Sequence, residues 1–133
     1  MANTTYVKVI EDGPRNAIVR VTALLDTSNL AATALVTKAM FTNNDVAAGP
    51  LTGFRVNEVK FTVSNGSGAV IEWEATTPQM IGAFFDANEV CWAPGLVPDA
   101  AAAGYTGSIL FRSVNWVATI QGFTITLYLI KLY

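Results

Sequence analysis

The sequence predicts an all-β fold: a single antiparallel β-sandwich of about eight strands. Three observations predict it. Short runs alternate apolar and polar residues with period two, turn residues separate these runs, and 52% of the chain is apolar while only 14% is charged. At 133 residues the chain has the length of one domain, residues 1–133, and neither a linker-like stretch nor a fixed-interval repeat divides it. Strand spacing leaves two windings open, jelly-roll and immunoglobulin-like.

Thr5 to Glu11 places Val7 and Val9 on one side and Tyr6, Lys8 and Ile10 on the other, and Asp12-Gly13-Pro14 stops it. Asn16 to Leu25 aligns Ala17, Val19, Val21, Ala23 and Leu25 on one face, which predicts a long strand paired back on the first as a hairpin. Ala31 to Met40 mixes helix-favouring alanine and leucine with strand-favouring Thr33, Val36 and Thr37, and reads as a strand. From Phe41 to Thr52 the polar and turn residues predict a long surface loop.

Gly53 to Ser64 changes phase: Phe54 and Val56 share one parity, and Val59, Phe61 and Val63 share the other. A bulge near Asn57 and Glu58 would keep that apolar set facing the core. Asn65-Gly66-Ser67-Gly68 predicts a hairpin into Ala69 to Ala75, a strand with Ile71 and Trp73 buried and Glu72 and Glu74 wet. Met80 to Phe85 and Val90 to Trp92 read as short strands, and Pro98 to Gly107 as a loop of small residues. Ser108 to Val114 and Val117 to Tyr133 finish the chain. In the last, Phe123, Ile125, Leu127 and Leu129 form an apolar row, while Thr124, Thr126, Tyr128 and Ile130 form one that suits a partner better than water.

With no histidine, Ser-His-Asp and Cys-His catalysis, histidine metal sites and imidazole switching are excluded. Eight basic against ten acidic residues give a net charge of −2, which disfavours nucleic acid as a partner. The polar start Met1-Ala2-Asn3-Thr4-Thr5 lacks a secretory pattern, so the chain is expected to start as translated, and two tripeptide sequons, at Asn3 and Asn65, are read as chance. The charge-free stretch Ser113 to Ile130 carries polar residues at strand intervals, so no membrane partner is expected. Cys91 is the sole cysteine and, between Val90 and Trp92, reads as a packed thiol.

Glu72 and Glu74 share a strand face and would suit acid-base work, but a solvated face accounts for them. Asp86, Asn88 and Glu89, or Asn43, Asn44 and Asp45, offer oxygen ligands for calcium, but turn propensity accounts for both sets. Trp73, Trp92 and Trp116 with Tyr6, Tyr105, Tyr128 and Tyr133 could stack on sugars, although burial is the commoner fate of tryptophan. No catalytic residue, cofactor or metal is therefore predicted, and an enzyme is not expected. The low charge and a mean hydropathy of +0.40 predict instead an outer surface covered by other copies of the chain or by another protein.

The segments Val9 to Asn16, Leu24 to Thr27, Gly53 to Val56, Glu74 to Pro78, Ala103 to Gly107 and Phe123 to Leu129, in that order, resemble small virion structural proteins of tailed bacteriophages. The resemblance spans most of the chain. It implies a decoration or cement subunit on the capsid surface of a virion, with the major capsid protein and copies of itself as partners. These are turns and strand rows, so no functional residue carries over. The expected contacts are the start (Ala2, Thr4, Tyr6), the first long loop (Asn43, Asn44, Val46, Pro50, Leu51), the alanine-rich loop (Pro98, Ala101, Ala102, Tyr105), and Tyr128 and Tyr133. The competing expectation is a receptor- or glycan-binding module of a head or tail fibre.

Overall fold

The computed structural model describes residues 3–64, 66–117 and 119–133. They form nine strands: β1 (Thr4–Asp12), β2 (Asn16–Leu25), β3 (Thr33–Val36), β4 (Gly53–Val63), β5 (Gly68–Trp73), β6 (Gln79–Phe85), β7 (Ala87–Leu96), β8 (Ile109–Val114) and β9 (Gln121–Leu132). Two antiparallel sheets result, a larger one ordered β1-β2-β9-β4-β7 and a smaller one ordered β3-β8-β5-β6. No helix among the described residues is long and apolar enough to cross a membrane.

The pairing decides the winding. β2 pairs with β9 and β4 with β7 in one sheet, while β3 pairs with β8 and β5 with β6 in the other. Those partners are nested: the run β2 to β5 lies antiparallel to the run β6 to β9, as in one long hairpin wrapped into two sheets. That is the jelly-roll order, not the immunoglobulin one. β1 is an added edge strand on β2, so the predicted first hairpin is present.

Period-two alternation explains which residues fill the space between the sheets. Val19, Val21, Val56, Val59, Ile125 and Leu127 of the larger sheet and Ile71, Ile109 and Phe111 of the smaller are fully buried in one apolar cluster. β4 keeps its apolar side inward across a register shift between Val56 and Glu58, where the phase change predicts a bulge.

Three expectations need correction. The turn at Asn65 to Gly68 is not a hairpin, because β4 and β5 belong to different sheets; Asn65 itself lies outside the described residues. β5 has no wet face, since it is buried along its whole length as a central strand whose neighbours cover its outer side. Ala31 to Met40 is a strand only over β3. It then tightens into a 3-10 turn at Lys38–Met40, where the Phe41 amide donates to the Lys38 carbonyl at 3.2 Å.

Candidate interaction surfaces

Near the end of β9, Lys131 follows the inward parity of the apolar row, and its side chain has no exposed surface. A buried ammonium is tolerated only when its charge and donors are met. Here it pairs with Asp12, donates to Asn44 Oδ1 at 2.7 Å and to the Asn43 carbonyl at 3.0 Å, and lies 5.3 Å from the centre of the Phe41 ring. Asp12 also accepts from the amides of Thr42 at 2.9 Å and Asn43 at 3.2 Å. Burial opposes the Asp12 charge, but the Lys131 hydrogen bond, the two amides and the Lys131 charge together hold its carboxyl below its ordinary value. The oxygens of Asn43 and Asn44 thus face a lysine of the same chain.

The two loops expected to make contacts meet at this end of the sandwich. Gly107 has φ 83°, and a Cβ there would come within 2.5 Å of the Thr52 carbonyl; one at Gly53 would collide with the Tyr105 hydroxyl. Burial against Gly53 pushes the Tyr105 phenol up. Tyr133 donates to the Pro14 carbonyl and accepts from the Asp45 amide, Leu51 packs against the core, and Pro98 is buried. Gln79 brackets Asp99 with bonds of 2.7 and 3.0 Å. Both loops are therefore strapped down. Among the expected contacts here, Asn43, Val46, Pro50 and Ala101 remain exposed, though the Asn43 side chain is held by the Asp12 carbonyl.

The amino-terminal contacts lie at the opposite end. Asn3 Oδ1 accepts from the amides of Asp26 and Thr27, while Thr4 and Tyr6 pair with Leu24 and Thr22. Ala2 lies outside the described residues. Tyr6 is exposed, and Tyr128 is half-buried on the outer face of the larger sheet.

The outer face of the smaller sheet is the surface that sequence patterning misses. Its strands carry two charged residues, Glu72 and Arg112, and these bond each other at 2.9 Å. Around that pair the register places Met80 and Leu110 beside Glu72, and Ala83 beside Val70. The Phe85 ring lies over Gly68 so closely that a Cβ there would collide with it. Met80 and Phe85 lie on β6, the edge strand of the smaller sheet, and keep 55% and 47% of their surface exposed. The available signal was the uncharged run Gln79 to Phe85.

The outer face of the larger sheet has different chemistry. One row across it reads Lys8, Arg20, Thr126, Lys60 and Glu89, and the next reads Glu11, Ile18, Tyr128, Glu58 and Cys91. A depression of about 270 Å³ lies over the second row, lined in part by Glu11, Ile18, Glu58, Cys91 and Tyr128. Lys60 lies 5.2 Å from the centre of the Tyr128 ring, and its interaction with Tyr128, with the charges of Glu58 and Glu89, raises its pKa. Cys91 is exposed, which corrects its expected packing: Val90 pairs with the buried Val59, so its neighbour Cys91 points outward.

The other singled-out residues do not converge. Glu74 accepts from the Thr106 hydroxyl at 2.6 Å, and Glu89 pairs with Lys60 at 3.9 Å. No group of three potential metal-ligating His, Cys, Asp or Glu residues occurs among the described residues. Trp73 is buried in the core, and the Trp116 indole donates to the Leu25 carbonyl at 3.2 Å. No protein family matches the chain, and no curated protein matches it.

Proposed function

We propose that the protein is a non-enzymatic structural subunit of a phage virion, a capsid decoration or cement subunit that binds the major capsid lattice and stabilises it from the capsid surface. The observation that supports this reading is the outer face of the smaller sheet, where Glu72 and Arg112 pair with each other and Met80, Ala83 and Phe85 are exposed beside the buried Val70 and Leu110. Such a face loses little by desolvation and gains about 1 kcal/mol for each half-exposed large side chain that a partner covers. The strapped loops and the continuous core supply the stiffness that a subunit bridging capsomers needs.

Adding the purified protein to shells that lack it tests the reading. Wild type is expected to bind and to raise the temperature at which the shells rupture. A variant carrying Met80→Glu and Phe85→Glu, both at exposed positions, is expected to fold normally and lose binding by about 100-fold or more. Thr124→Glu, on the opposite outer face, is expected to bind as wild type does. Absence of wild-type binding, or equal binding by the Met80/Phe85 variant, overturns the proposal; reproducible glycan binding would support the fibre-module reading instead.

A further inference from the structure

The outer face of the larger sheet carries charge in an order that suits one particular occupant. In the first row Lys8 lies directly opposite Arg20 across the β1·β2 pair, a like-charge arrangement that works against the fold. Lys60 extends the basic row on β4, and Glu89 ends it on β7. In the second row Glu11 lies on β1 and Glu58 on β4. The same two strands therefore each present a lysine in the first row and a glutamate in the second. Thr126 and Tyr128 occupy the matching positions on β9.

We propose that this face binds a second copy of the chain, packed face to face about a two-fold axis that runs across the strands between the two rows. Rotation about such an axis lays each row of one copy over the other row of its partner. Lys8 then meets Glu11 of the partner subunit, and Lys60 meets Glu58 of the partner subunit, each pair occurring twice because the contact is isologous. Thr126 meets Tyr128 of the partner subunit. Arg20 meets Ile18 of the partner subunit, beside Glu11 of the partner subunit, so Lys8 and Arg20 share one carboxylate that the monomer does not place between them. Five strands about 4.8 Å apart, rising about 3.3 Å per residue, make a face on the order of 700 Å² per copy, close to the ~800 Å² per partner of stable interfaces.

This contact uses the face turned away from the proposed lattice contact and does not depend on it. Charge reversal on the larger sheet tests one, and Met80→Glu with Phe85→Glu tests the other. The experiment is sedimentation equilibrium of the full chain, wild type and two exchange variants, Lys60→Glu and Glu58→Lys. Wild type is expected to dimerise at about 100 μM in low salt and to weaken about tenfold or more when ionic strength rises into the screening range. Each variant alone opposes like charges and is expected to be monomeric, with an unfolding midpoint that shows it is folded. Mixing the two variants restores opposite charge at both Lys60–Glu58 contacts, so a heterodimer is expected. A monomeric wild type, a dimer that both variants leave intact, or a mixture that stays monomeric overturns the proposal.

Discussion

On the smaller sheet Glu72 and Arg112 bond each other at 2.9 Å and leave the surrounding surface to apolar side chains, whereas on the larger sheet Lys60 meets Glu89 only at 3.9 Å and Lys8 and Arg20 stand in the same row beside Glu11 and Glu58. Both faces belong to one jelly-roll and share one core, so the fold does not account for the difference. A face whose charges are satisfied internally can be dehydrated at small cost, and a face with separated rows of charge is better matched by a salt-sensitive partner. Low overall charge is therefore not spread evenly over the two outer faces. It is concentrated on one side.

The same contrast extends to the two strongest ion pairs, and substitutions there sharpen it. The largest effect is expected at the sealed ammonium of the larger sheet. Asp12→Ala removes its counter-charge and is expected to destabilise the protein by about 3 kcal/mol in denaturant unfolding, while Lys131→Met, which removes the buried charge itself, is expected to cost less. An equal or larger loss for Lys131→Met would show that the pair, rather than the stranded charge, carries the stability.

A smaller effect is expected on the other sheet. Arg112→Ala leaves Glu72, with 12% of its side chain exposed, unpaired on a strand buried along its length, at a cost of about 2 kcal/mol. Lys60→Ala breaks a pair between two exposed side chains and is expected to leave the monomer's unfolding midpoint unchanged.

The pH response follows from Asp12. Its carboxyl is depressed on folding, so its contribution is fully present above the ordinary aspartate value of about 3.9 and is lost as pH falls through the lower folded value. Thermal melts from pH 5 downward are expected to show wild type losing stability faster than Asp12→Asn below about pH 4. Parallel curves for the two proteins would remove Asp12 from the acid response.

Much of the fold is legible locally. The apolar row Phe123, Ile125, Leu127 and Leu129, the phase change in β4 and the first hairpin all depend on neighbours in sequence, and period two reports those directly. The winding is not local: β2 meets β9, and β3 meets β8, across most of the chain. That is why the turn after β4 reads as a hairpin although it carries the chain to the other sheet. Turn residues report a reversal and say nothing of which sheet receives the next strand. Glu72 reads as wet for the same reason, since Arg112, the residue that neutralises it, is supplied by β8, forty positions later. Of the expected contacts, Val46, Pro50 and Ala101 are exposed loop residues, but Leu51, Pro98 and Tyr133 are held inside a well-bonded end. Met80 and Phe85, which matter most to the proposed contact, lie in a segment whose sequence resembles an ordinary core strand.

Oxidative footprinting of shells carrying the bound protein reads the lattice contact itself, because Met80 and Phe85 react in proportion to their exposure. Both are expected to be modified severalfold more slowly on the shell than in the free protein, while Tyr6 and Tyr128 on the other sheet react equally in the two states. Unchanged modification of Met80 and Phe85 on binding, with protection appearing elsewhere, would contradict that contact.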